Sequence, residues 1–259
     1  MSFVMRNIHR LREMLTAFPL DARIPLRRLG SDYGGWVFPE NAITAESVCY
    51  LAGAGTDISF DLELAHHYGC QVHIFDPTPR AKAHYDDVRS AILTARTHDL
   101  PARPRYPDDP DAVRRTQFHA YGIWHRNETL KFYAPANPDH VSHSVKNLQK
   151  TGEYFLAEVK DLLTVMNTLG HDRIHLLKLD IEGAEYEVLD DIITRQIPVD
   201  IICVEFDENH RKHLDAHYLR RIKNTIARMR DNHFLLVHRE KPFDLTFVHR
   251  SRQDLLPPD

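Results

Sequence analysis

The chain reads as an α/β fold: a mostly parallel sheet with helices on both faces. Three observations carry that reading. From Ser47 onward, short apolar strand-like runs alternate with segments of helical periodicity. A glycine-rich turn, Gly53 to Asp57, sits where the first strand would hand over to a helix. At 259 residues the chain has room for one large α/β domain.

Composition narrows the function classes. With 42 % hydrophobic and 27 % charged residues, the chain is ordinary globular protein. No apolar run approaches the ~20 residues of a membrane helix, so no spanning segment is expected. Met1 to Arg12 carries charges and lacks a signal-peptide core, which points to a cytoplasmic protein. The net charge of −4 argues against a protein held to nucleic acid by bulk charge. Cys49, Cys70 and Cys203 form neither a zinc pattern nor a disulfide framework, and read as buried free thiols in a reducing compartment. Eighteen histidines invite a metal or pH-sensing role, but they are dispersed.

Taken in order, the elements are as follows. Ile8, Leu11, Met14, Leu15 and Phe18 recur at helical spacing, and Pro19 and Pro25 end that helix. Residues 1–46 therefore read as a cap helix followed by a segment whose Gly34-Gly35 pair breaks any regular element and permits a close turn. The main domain spans 47–250, and 251–259 is a tail. SVCYLA is a buried strand; Ile58, Leu62 and Ala65 share a helix face that stops at Gly69. QVHIF is the next strand, and the β-α-β order implies a parallel pair with a right-handed crossover.

Residues 96–117 hold Pro101, Pro104, Pro107 and Pro110, which predicts a surface insertion without a regular helix or central strand. FHAYGIW and LKFYAP are expected to be a strand and its hairpin partner. HLLKL is a buried strand ending in the turn Asp180 to Gly183, followed by a helix with Ala184, Val188, Leu189, Ile192 and Ile193 on one face. IICVEF is another buried strand. Tyr218 to Arg230 is a basic amphipathic helix whose acidic flanks and missing aromatics favour a solvated face over RNA contact. HFLLVHR and DLTFVHR are expected to pair antiparallel.

In an open parallel sheet, ligands bind beyond the carboxyl ends of the strands. Four predicted strands end in chemistry: Gly53 and Gly55, Asp76, Asp180 and Glu182, Glu205 and Asp207. A glycine turn followed by a carboxylate about 20 residues on suits a nucleoside ribose, as in NAD or S-adenosylmethionine (SAM). Ile58 stands where a dinucleotide fingerprint needs a third small residue, and Asp57 would face a pyrophosphate with like charge. A sulfonium cation with an ammonium group suits those acids better, so SAM is favoured over NAD.

The run LLKLDIEGAEYEVL, with GAG and FDPTP upstream and ICVEFDE downstream, resembles the FkbM family of SAM-dependent methyltransferases. The resemblance covers about Leu29 to Arg250 and implies a class I, Rossmann-like methyltransferase with a seven-stranded sheet and a late antiparallel hairpin. The first motif reads LAGAGTDIS where many members read close to DVGANIG, and matches better the branch with GxGxDISFDLEL and FDPTP. It further implies O-methylation of a sugar, glycan or glycosylated small molecule. On that reading Gly53 and Gly55 line the methionine part of SAM, Asp76 holds the ribose, and Thr78 lies near the adenine. Asp57 faces the cationic end, and Tyr33, Gly34, Gly35 and Trp36 form a lid on the cofactor, which makes 1–46 a cap helix and lid segment. Asp180, Glu182 and Glu205 are the candidate bases or acceptor-orienting groups, with His143 in Ser142-His143-Ser144 as a further base. Asp180, Glu205, Asp207 and His210 could form an oxygen-rich divalent-cation set, although their spacing is no metal signature. Neither nucleic acid nor membrane is an expected partner.

Overall fold

A computed structural model describes residues 18–100, 104–133, 153–206, 217–240 and 243–257. The expected helix up to Phe18, together with His143, Asp207, Glu208 and His210, lies outside the described residues, apart from Phe18 itself. Twelve strands and six α-helices are described. They are β1 (Leu26–Leu29), β2 (Trp36–Pro39), β3 (Val48–Ala52), α1 (Ser59–Tyr68), β4 (Gln71–Phe75), α2 (Pro79–Leu93), α3 (Pro110–Arg114), β5 (Thr116–His119) and β6 (Gly122–Ile123). Then come β7 (Glu128–Tyr133), β8 (Tyr154–Lys160), α4 (Leu162–Leu169), β9 (Ile174–Leu179), α5 (Glu185–Arg195), β10 (Val199–Glu205), α6 (Tyr218–Asp231), β11 (Phe234–Glu240) and β12 (Asp244–His249).

Seven strands form the central sheet in the order β11-β12-β10-β9-β3-β4-β5. Neighbours from β10 to β5 are parallel, whereas β12 runs antiparallel to both β10 and β11, as the two late runs predict. Strand order reverses between β3 and β9, the switch point beyond whose strand ends open α/β sheets bind ligands.

Alternation along the strands splits the core into two layers. Tyr50 and Ala52 of β3 face a layer roofed by α4, α5 and α6. Cys49 and Leu51 face the other, under α1, α2, α3 and the β1–β2 hairpin. Helix α1 ends where expected, at Gly69 in the left-handed conformation (φ 67°), its N–H bonded to the Ala65 carbonyl. Cys49, Cys70 and Cys203 are free and buried. Among the described residues no helix is long and apolar enough to cross a membrane.

Two expectations need correction. The proline-rich insertion contains a regular helix, α3, because Pro110 occupies its first turn, where no amide is needed. Asp109 caps it, and Ala112 and Val113 are buried. The insertion also gives way to β5 at Thr116, an edge strand of the sheet. Secondly, β6 and β7 are not hairpin partners. Strand β8 lies between them, parallel to β6 and antiparallel to β7, in a separate three-stranded sheet. Trp124, Phe132 and Val159 of that small sheet and its approach pack with Ala184, so it stands over the turn that follows β9.

Candidate functional site at the strand ends

Main-chain hydrogen bonds continue one residue past the strands and level three chain ends. The Gly53 N–H donates to the Phe75 carbonyl (3.0 Å), the Asp180 N–H to that of Ala52 (3.2 Å), and the Asp76 N–H to that of His119 (3.2 Å). Val204 stands opposite Leu179, so Glu205 follows at the same level as Asp180. Gly53, Asp76, Asp180 and Glu205 thus form a row across four strands.

Gly53 has φ 85°, and a Cβ built there would lie 1.7 Å from the Asp180 carbonyl oxygen. Only glycine fits at this close approach beside the switch point. Gly55 is also left-handed, with φ 53°. Asp76, 5 % exposed, holds this turn. Its Oδ2 accepts from the Ala54 N–H (2.9 Å) and the Gly55 N–H (3.1 Å). Its Oδ1 accepts from the Thr78 N–H (2.8 Å) and hydroxyl (2.6 Å). Four donors fill the capacity of a carboxylate. Thr78 in turn caps α2 by accepting from the Ala81 N–H.

The segment before β2 is fastened to the same turn. The Ser31 hydroxyl donates to Asp57 Oδ2 (2.5 Å) and accepts from the Gly34 N–H (2.9 Å). Gly34 lies so close that a Cβ would meet the Asp57 carboxyl carbon at 2.8 Å. Asp57 Oδ1 also accepts from the Ser59 N–H. Tyr33 and Gly34 are therefore brought to the glycine turn, with Tyr33 77 % exposed. Trp36 is different: it is buried in the core as part of β2 and is no lid residue.

The stretch that carries the glycine turn, Asp76 and the strand-end acids falls within the match to a known family. The profile described as the Methyltransferase FkbM domain matches residues 51–234. The chain belongs to the FkbM methyltransferase family. A rat protein named probable methyltransferase-like protein 24 (Rattus norvegicus) is 25 % identical over 155 residues, 60 % of this chain and 30 % of its own length. The human protein of the same name (Homo sapiens) is 24 % identical over 149 residues, covering 57 % of this chain and 28 % of its own length. The chain thus spans less than a third of these curated relatives. A crystal structure of methyltransferase FkbM from Methylobacillus flagellatus KT overlays on 80 % of this chain and 44 % of that one, at TM-score 0.45 and 13 % identity.

In this FkbM chain the turn after β9 carries two residues at positive φ, Glu182 (53°) and Gly183 (99°). Glu182 precedes α5 rather than lying in its first turn. Glu185 stabilises that conformation. It is fully buried, and its carboxylate accepts from the Ile181 N–H (3.0 Å) and the Gly183 N–H (2.9 Å). Glu185 was not singled out in the sequence; the acid two places beyond a turn glycine was its only signal.

Lys178 and Asp61 are also legible only in three dimensions. The Lys178 side chain is 7 % exposed and makes an ion pair with Asp180 Oδ2 at 3.4 Å. Its ammonium also donates to the Gly53 carbonyl and lies 5.8 Å from the Trp36 ring. Burial would pull the ammonium down, but Asp180 and Asp61 outweigh it and hold Lys178 above the ordinary lysine range. Asp61, buried on α1, is pushed up to about 6 by burial, with Lys178 opposing. The sequence signal for Lys178 was a single cation inside an apolar strand. Among the described residues no group of three or more histidines, cysteines or acids is placed to hold a metal.

Proposed function

We propose that the chain is a SAM-dependent O-methyltransferase acting on a hydroxyl of a sugar, glycan or glycosylated small molecule. The observation that carries this reading is the alignment of Gly53 with Asp180 and Glu205 at the switch point of the sheet. A large, mostly parallel central sheet with an antiparallel strand β12 supports the reading.

The residues present suit SAM. The missing side chain at Gly53 makes room for the Asp180 carbonyl and so draws the turns after β3 and β9 together, and Asp57 supplies negative charge at the entrance of α1. Gly53, Gly55, Asp57, Asp76 and Thr78 would hold the cofactor, with Tyr33 and Gly34 beside them. Asp76 reaches a ribose only by exchanging one of its protein donors, so its first task is to shape the turn. When bound, SAM supplies an electrophilic methyl group.

The chain's own residues do the rest. Asp180, Glu182 and Glu205 orient the acceptor hydroxyl, and one carboxylate takes its proton as the oxygen is alkylated. His143 is a further candidate for that proton. The small sheet packs on Ile181 and Ala184 beside the Asp180–Gly183 turn, where an apolar cover would keep water from an acceptor oxygen. Polyhydroxylated acceptors fit a row of carboxylates, each able to accept hydrogen bonds from hydroxyls.

Calorimetry with SAM and with S-adenosylhomocysteine tests the cofactor reading. Asp76→Ala is expected to weaken binding about tenfold or more, the loss of one or two held backbone donors. Unchanged affinity would remove the cofactor assignment. Asp180→Asn is expected to retain cofactor binding and slow methyl transfer on a panel of glycosides; a joint loss would make Asp180 a cofactor or folding residue.

A further inference from the structure

We propose that Lys178 is a positioning residue: one buried ammonium that clamps the cofactor turn through the Gly53 carbonyl and the acceptor-side acid through Asp180. The inference rests on the SAM reading of that turn and deepens it. A lone cation near the carboxyl end of a central strand is costly to bury, so its retention asks for partners. They are present on every side. Side-chain alternation places Lys178 and Asp180 on the same face of β9, with Asp61 of α1 opposite and Glu205 on the neighbouring strand. Cys203 of β10 also lies in its field, and Trp36 of β2 covers it.

Its reach explains its role. The donors of an ammonium can point in several directions from one atom, so a single Lys178 bonds the Gly53 carbonyl and the Asp180 carboxylate together. The first of these groups belongs to the turn after β3 and the second to the turn after β9. The clamp thereby spans the switch point and joins its two sides. The two groups its ammonium touches are the Gly53 carbonyl and the Asp180 carboxylate, and Lys178 acts through them.

The test compares Lys178→Met with Lys178→Arg in the full chain. Hydrogen exchange of the ligand-free protein, read on the peptide covering 53–57, is expected to quicken about tenfold in Lys178→Met and to recover in Lys178→Arg. Affinity for S-adenosylhomocysteine and kcat are each expected to fall about tenfold in Lys178→Met, the loss of one charge-assisted hydrogen bond. In a double-mutant cycle, Asp180→Asn is expected to cost less kcat once Lys178 is gone, because the two act as one unit. A folded Lys178→Met chain with unchanged exchange and affinity would overturn the proposal, as would kcat losses that simply multiply. If the wild-type chain binds no S-adenosylhomocysteine, the SAM reading fails and the exchange measurement alone decides the clamp. If Lys178→Met does not fold, Lys178→Gln takes its place under the same criteria.

Discussion

Gly53 shows how little freedom a single residue has at this site. Its φ of 85° and the 1.7 Å approach of a Cβ to the Asp180 carbonyl exclude a side chain on two independent grounds. Gly53→Ala is expected to cost about 2–4 kcal/mol of stability, combining left-handed strain with overpacking. Urea unfolding checks the stability, and calorimetry is expected to show cofactor affinity lost with it. Glu185 is the corresponding device on the other turn. Glu185→Gln leaves the shape, but with Oε1 kept as the amide oxygen its NH2 group faces the Gly183 N–H, donor against donor. A loss of about 1–3 kcal/mol is expected, the cost of a buried donor left without an acceptor, together with slowed transfer and retained cofactor affinity.

At the scale of elements, the small sheet is the part that the main sheet does not need. Strand β8 is its centre, with Val159 opposite Gly122 on one side and Glu128 on the other. Proline at a central position removes a ladder donor. Val159→Pro is therefore expected to unseat the small sheet from the Asp180–Gly183 turn while leaving cofactor affinity nearly unchanged. Methyl transfer would fall, as a comparison of calorimetry with turnover would reveal. The proline-rich insertion shows a different coupling. Tyr106 packs on the α1–α2 layer and its hydroxyl bonds to His84 at 2.8 Å. The segment that looked like surface decoration thus reaches the flank of the cofactor turn, where Asp57 raises the Tyr106 phenol beyond the effect of burial.

For the whole molecule, buried titratable groups set the response to acid. His73 and His119 are 6 % and 9 % exposed, with ring nitrogens 3.0 Å apart. Burial brings His73 down to about 3 and His119 to about 4, with neighbouring His171 adding to both. A depressed imidazole is neutral in the native state while the unfolded chain takes up protons near pH 6.5. Its stabilisation is therefore present above that pH and lost as pH falls towards 4. Between pH 6.5 and 5 the pair is expected to withdraw on the order of 2–3 kcal/mol. Asp61 acts in the opposite sense. Held at about 6, it favours the protonated native state, and its contribution is lost as pH rises from about 4 to 6. Thermal unfolding against pH is expected to show a flatter acid slope in a His73→Gln/His119→Gln variant and a steeper one in Asp61→Asn.

Strands β3, β4, β9, β10, β11 and β12 and helices α1, α5 and α6 were legible because apolar periodicity and breaker residues are local signals, whereas α2, α3, β8 and α4 were not read. So were the strand-end residues Gly53, Gly55, Asp76, Asp180 and Glu205, since strands bounded by turns announce their own ends. Partnership was not legible. That β8 separates β6 from β7, that Asp76 holds the glycine turn and that Ser31 is bonded to Asp57 all depend on residues brought together from distant positions. Lys178 marks the divide most clearly. The sequence shows a cation in an apolar strand; only the folded chain supplies the Gly53 carbonyl, Asp180 and Asp61 around it, because the free energy of a buried charge is decided by its neighbours in space.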